Sequence, residues 1–288
     1  MNQGTLGPNR QKERRVAMWA IARKDMLGIG ANIQVWLPML ILPLVFGVLL
    51  PGGLLWALGK FGAGSSQLAE IAAIFDKLPE SALTQKLLSF ESLEQQIAYF
   101  ALNYIMAPLF LLIPLMAASV ISADSFAGEK ERGTLEGLLF SPADVLTIFL
   151  GKVLAAFIPA MGMSLLTFGL TTLVANGVGW PLMGSVFFPA VSWLPLMLLV
   201  IPTLSLAAIL LNVFVSARVA SFQAAYQVGG IVVLPILALV FGQVSGVLLL
   251  ETGVIVLIGC VLGVIDVVLL LALRGRLDRA GLFESQVR

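Results

Sequence analysis

Six long apolar stretches divide the chain, at 35–58, 100–122, 146–176, 190–215, 223–248 and 252–273. A helix needs about 20 mostly apolar residues to cross roughly 30 Å of hydrocarbon, so each stretch predicts one transmembrane helix. The pattern describes an all-α integral membrane protein with a six-helix transmembrane domain over 35–273. The third stretch exceeds the minimum and should tilt or protrude. Between the last two, Gly242-Gln243, Ser245-Gly246 and Glu251-Thr252-Gly253 interrupt an otherwise continuous apolar run. They predict a hairpin, with a re-entrant segment over 241–252 as the alternative.

The polar segments carry patterns of their own. In the amino-terminal segment, 1–34, Trp19, Ala22, Met26, Ile29 and Ile33 recur at helical steps and draw one apolar stripe. Lys24, Asp25, Gly28 and Asn32 fall mostly off that stripe, and Arg23 borders it. A helix of this kind beside a membrane span should lie flat in the interface as an elbow. Trp19, Arg23, Lys24, Asp25 and Met26 are its expected interface residues, serving an anchor or a collar that also touches a partner. The 59–99 connection predicts two short helices, one on Leu68, Ile71, Phe75 and Leu78 ending at Pro79, another on Leu83, Leu87, Phe90 and Ile97 with Ser81 as cap. It reads as a lid or as a solvated surface element.

Charge orients these segments. Fourteen of the seventeen basic residues lie in the amino-terminal segment, the 123–145 loop with Lys152 just beyond it, the 216–222 turn and the 274–288 tail. The 59–99 loop holds the other three, Lys60, Lys77 and Lys86, against five acids. Basic loops stay in the cytoplasm, so both termini are expected there and 59–99 outside. The first 34 residues are too long and too charged for a cleavable signal peptide, so the first apolar run is expected to remain as an anchor.

Composition then removes classes of function. Apolar residues make up 59% of the 288 and charged residues 11%, against about 45–50% and about 25% in soluble domains; an ordinary soluble enzyme is excluded. The net charge of +1 gives no reason to expect a nucleic-acid partner. With Cys260 as the single cysteine and no histidine, an internal disulfide and histidine-built triads or metal sites are excluded. No metal site is expected.

The chemistry concentrates in the 123–145 loop, which contains GEKERGTLEGLLFSP from Gly128 to Pro142. Glu129, Lys130, Glu131, Arg132 and Glu136 alternate in sign, and Leu135, Leu138 and Leu139 form an apolar face too short to span. Ser141-Pro142-Ala143-Asp144 reads as a helix start, with Ser141 as N-cap and Pro142 at the first helical position. A short surface helix held by two long spans can pass a push from a soluble partner into the membrane; on the residues alone a solvated turn is the other reading.

This run resembles the signature of bacterial ABC exporter permeases of the type-2 membrane-domain family, departing mainly at Gly137, where that family often has proline. The stretch from Ala22 to Phe46 is similar to the family's elbow and first span, and the tail LRGRLDRAGLFES agrees as well. The resemblance implies a permease whose 129–140 segment is a cytoplasmic coupling helix docking on a separate ABC ATPase subunit. Its contact residues would be Glu129, Lys130, Glu131, Arg132, Gly133, Thr134, Leu135, Glu136, Leu138 and Leu139. It also implies a dimer with a second copy or a related permease, contact with membrane lipid, and a bacterial inner-membrane location. Independently, the chain has no Gly-x-x-x-x-Gly-Lys-[Ser/Thr] loop; ATP and Mg are expected on the partner, with no cofactor in this chain and no enzymatic activity of its own.

Inside the spans, Asp266 is the only acid well within the hydrocarbon, a position where charge costs about 2.5–3.5 kcal/mol and a functional site is the default reading. A salt bridge to Lys152 or Arg218, or a neutral protonated acid, accounts for it structurally. Asn103, Asn176, Asn212, Gln223 and Gln227 read as interfacial or interhelical hydrogen-bond partners, and Gly242–Gly246 and Gly259–Gly263 as close packing points. The competing classes are an ion-driven secondary transporter, which wants more intramembrane charge, a membrane-embedded enzyme, and a non-transporting assembly or sensor protein on the same scaffold.

Overall fold

The computed structural model describes residues 8–31, 33–62, 75, 82–134, 143–216, 218–219, 221–245 and 250–274. Among these residues the fold is helical, with no strand. An amino-terminal helix, α1 (Pro8–Ala31), precedes the first span, α2 (Met39–Phe61), and a short helix, α3 (Ala82–Leu88), follows it. The remaining spans are α4 (Leu93–Glu131), α5 (Val145–Met183), α6 (Trp193–Ser216), α7 (Phe222–Gln243) and α8 (Thr252–Leu273). All six are long and apolar enough to cross a membrane, so the protein is multi-pass.

The second and third spans each run 39 residues, about 58 Å at 1.5 Å per residue, nearly twice the hydrocarbon thickness. The apolar stretches at 100–122 and 146–176 end sooner because the extensions are set by caps. Ser92 and Gln95 form a capping box at the start of α4, Gln95 N–H donating to Ser92 Oγ at 3.3 Å. Gly184 takes φ +62° after α5, its N–H returning to the Trp180 carbonyl at 2.9 Å. The expected helix over Leu83–Ile97 is split there: Leu83 and Leu87 bury on α3, whereas Ile97 belongs to α4. Ser92 is the cap; Ser81, and Leu68, Ile71 and Leu78 of the other expected helix, lie outside the described residues.

Four stretches of the spans are wound more widely than an α-helix, at Val45–Leu49, Ala101–Ile105, Asp124–Gly128 and Leu196–Val200. All but Asp124–Gly128 include a carbonyl, of Gly47, Tyr104 and Leu198, whose usual partner four residues on is a proline: Pro51, Pro108 and Pro202. Proline has no N–H to offer and its ring crowds that carbonyl, so the helix loosens locally rather than breaking.

α4 is buried along most of its length, whereas α7 and α8 leave most of their apolar surface facing outward. Leu234, Phe241, Leu257, Val264 and Leu271 are among the exposed apolar side chains, as expected of helices facing lipid. Close packing at Gly259 is confirmed: a Cβ there would stand 2.5 Å from the side chain of Leu199 on α6. Gly263 is looser, 3.8 Å from Thr203, and Gly246 lies outside the described residues. α7 and α8 are separate helices, and 246–249, where the hairpin and re-entrant readings differ, lie outside the described residues.

The two ends of the bundle are tied differently. At the end away from α1, the segment between α5 and α6 is held by two asparagines. Asn103 donates to the Phe187 carbonyl at 3.3 Å and accepts from Ala190 N–H at 2.7 Å. Asn176 donates to the Phe188 carbonyl at 2.6 Å and accepts from the N–H groups of Phe187 and Phe188 at 3.1 and 3.3 Å. Trp193, wedged among Phe110, Phe168 and Phe188, adds an indole donor to the Asn103 carbonyl.

Candidate functional site: a buried charge cluster where the second span ends

The residues GEKERGT first act as a helix terminator. Thr134 N–H donates to the Glu129 carbonyl at 3.0 Å and Gly133 N–H to the Lys130 carbonyl at 3.1 Å. That is the Schellman pattern, and it requires Gly133 in the left-handed region, at φ +68°. Thr134 Oγ1 also donates to the Glu129 carbonyl at 3.2 Å. Just before the stop, Arg132 turns back to Asp124 at 2.8 Å. Gly128 leaves room for that pair, since a Cβ there would lie 2.8 Å from Asp124 Oδ1 and 3.1 Å from Arg132 Nη1.

Glu129 points the other way, into the protein. Its Oε2 accepts from Lys152 Nζ of α5 at 2.6 Å, and its Oε1 from Lys24 Nζ of α1 at 2.7 Å. Asp25 of α1 completes the ring, 2.9 Å from Lys24 and 3.4 Å from Lys152. Lys152, only 1% exposed, also donates to the Ser125 carbonyl at 2.6 Å and lies 5.5 Å from the centre of the Phe126 ring. Two cations and two carboxylates balance, as a buried site demands: an unpaired charge there is prohibitive. A cavity of about 310 Å³ opens beside the cluster, lined by Lys24, Asp25, Asp124, Glu129 and Arg132.

The environment tunes the two half-exposed cations. Burial pulls Lys24 down, but its hydrogen bonds and charge interactions with Glu129 and Asp25 outweigh that and hold the ammonium above its ordinary 10.5. The hydrogen bond to Asp124 likewise raises Arg132.

Two further contacts bracket the connection between α4 and α5. Asp144 stands at the N-cap position of α5, accepts from Thr147 Oγ1 and pairs with Arg14 of α1 at 3.2 Å. The expected start at Ser141 is therefore displaced: the described helix begins at Val145, and Ser141 and Pro142 lie outside the described residues. Glu131 Oε2 accepts from Phe222 N–H, the first residue of α7, at 2.9 Å; a carboxylate at a helix N-terminus meets unpaired N–H groups.

The sequence-predicted residues thus part company. Glu129 is buried, Lys130 half-buried, and Glu131, Arg132, Gly133 and Thr134 exposed. Leu135, Glu136, Leu138 and Leu139 lie outside the described residues. The residues of the elbow stripe divide between two faces of α1. α1 packs on α5 through Met18, Ile21, Ala22 and Asp25, while Trp19 is 52% exposed and Met26 half-buried. The reason is Gly151, where a Cβ would meet Ile21 Cβ at 2.9 Å and the Met18 carbonyl at 3.0 Å; α1 seats in that gap, and Asp25 turns inward to reach Lys152. Arg23 is exposed, with Val16, Trp19 and Leu27, on the opposite face.

Asp266 does not pair with Lys152, which is committed to Glu129 and Asp25. It is buried on α8, and among the described residues neither carboxylate oxygen has a hydrogen-bond partner; Arg218 is exposed and does not reach it. Asn212 behaves as expected, donating to Ser122 Oγ at 2.9 Å and the Ser119 carbonyl at 3.3 Å. Among the described residues no group of Cys, Asp or Glu side chains is arranged to hold a metal ion.

Six apolar spans, with charge gathered at the helix ends around one connecting loop, define a multi-pass membrane protein. The chain belongs to the ABC-2 family of transporter proteins: the model of the ABC-2 family transporter protein matches residues 19–276, from the middle of α1 past the end of α8. It is the membrane permease of an ABC transporter, a family that works with an ATPase partner. No curated protein matches the sequence.

Proposed function

We propose that this permease exports an amphiphilic or hydrophobic substrate from the cytoplasm or inner leaflet of a bacterial inner membrane. ATP is bound with Mg and hydrolysed on a separate subunit that docks on the connection between α4 and α5, at the cytoplasmic side with both termini. The observation that carries this reading is the bracketing of that connection. It joins two 39-residue helices and is gripped at its entry by the Glu129 cluster and the Arg132–Asp124 pair, and at its exit by Arg14–Asp144. A push on a connection held at both ends passes to both helices, and the pathway between two permease copies, or this chain and a related one, changes its accessible side.

The test is co-purification with candidate ATPase subunits through a tag on the permease. Glu136→Arg combined with Leu139→Asp reverses a charge and breaks the apolar face of the docking segment; Glu131 stays unchanged because it caps α7. The expected result is ATPase recovered with the wild type and lost with the double variant, both permeases monodisperse in detergent. Equal recovery with both moves docking elsewhere, and no ATPase with the wild type in mild detergent overturns the reading.

A further inference from the structure

The functional reading leaves the buried charges without a task, yet they stand where movement of the docking segment enters the membrane domain. α1 and α5 form one packed unit, with Met18 and Ile21 seated over Gly151. The end of α4 meets that unit through Ser125 and Phe126, which touch Lys152 and Phe149 of α5, and through Glu129, the one of these residues that reaches both α1 and α5. Glu129 Oε1 holds Lys24 of α1 at 2.7 Å, and Glu129 Oε2 holds Lys152 of α5 at 2.6 Å.

We infer that Glu129 is a positioning residue: it carries displacement of the docking segment into α1 and α5 together and does not touch the ATPase. The inference rests on the functional reading above. Glu129 is 7% exposed, so a docking subunit cannot reach its carboxylate without opening the cluster. Moving Glu129 away would strand Lys152, 1% exposed, with Asp25 at 3.4 Å as its remaining acid; a buried pair resists separation because the abandoned charge has no water to turn to. The Schellman turn ends α4 within five residues of Glu129, so there is little slack between the docking segment and the clamp. The aliphatic seat over Gly151 lets α1 follow α5 as one body.

The test uses the permease–ATPase complex with spin labels at Ala20→Cys, exposed on α1, and at the native Cys260, exposed on α8. The distance is read without nucleotide and after trapping with Mg-ATP and vanadate. Glu129→Gln with Lys152→Met removes one acid and one base, leaving Lys24 and Asp25 as a neutral pair, so the fold does not carry an unbalanced charge. The expected outcome is a nucleotide-driven shift in the wild type and in Lys152→Arg, and loss of the shift in the double variant, which retains the ATPase at the wild-type ratio. A double variant that shifts like the wild type, a wild type that shows no shift, or loss of ATPase retention in the double variant each overturns the proposal. A wild type that retains no ATPase overturns the functional reading and this proposal with it.

Discussion

The two ends of the bundle solve one problem with different chemistry. Where the second span ends, Glu129, Lys152, Lys24 and Asp25 tie three helices together by charge. At the opposite end, Asn103 and Asn176 tie the 184–193 segment to the spans with neutral amides, packed beneath Trp193 and Phe188. An amide clamp spends its donors and acceptors locally and keeps one segment still. A charge cluster is balanced only as a whole, so its members act together over a longer reach. The difference fits the proposal that the charged end passes on movement while the amide end holds one segment in place.

The strongest way to break that contrast is to unbalance the charged end. Lys152→Met strands Glu129 and Asp25 with one shared cation, and should destabilise the permease by about 3–5 kcal/mol, read as a drop in thermal midpoint of the purified protein; adding Glu129→Gln should recover most of it. A Lys152→Met protein as stable as wild type would remove the cluster's claim to be a unit. At the amide end, Asn176→Leu leaves the Phe187 and Phe188 N–H groups and the Phe188 carbonyl without the partners they have now. It should destabilise by about 2–3 kcal/mol, read as a smaller drop in the same thermal midpoint. Replacing Gly133 by alanine, at φ +68°, should cost about 1 kcal/mol, since only the turn is strained and the cluster is untouched.

The smallest effect is one of pH. Lys24 is held above its ordinary 10.5 by Glu129 and Asp25 against the opposing pull of burial. A raised cation contributes fully below 10.5 and loses its contribution as pH climbs through the folded value. Melting temperature should therefore fall above about pH 10.5 in the wild type, and Lys24→Gln should flatten that decline slightly, the side chain being half-exposed and its pairs screened. An amide clamp has no such dependence, so Asn176→Leu should keep the wild-type slope.

Much of the fold was legible because lipid imposes a simple rule. Apolar length alone located all six spans, and the split between the last two emerged from a handful of polar and glycine positions at 242–253. The extensions of α4 and α5 were not, because caps such as Ser92–Gln95 and Gly184, rather than hydropathy, decide where those helices stop. Among the candidate site residues, the run from Glu129 to Arg132 stood out in the sequence as alternating charges, but those charges read alike. Nothing local distinguishes Glu129, which turns inward, from Glu131, which caps α7.

The sequence by itself determined the membrane class, the span count, the family motif and the charged character of the loop, since each depends on residues close together along the chain. Only the tertiary structure decided that Glu129 meets Lys24 from 105 residues away and Lys152 from 23, that Asp25 rather than Trp19 faces the protein, and that Asp266 stands apart from Lys152. The physical reason is pairing under burial: which charge neutralises which is set by where helices cross, and here the crossing of α1 and α5 is set by the missing side chain of Gly151.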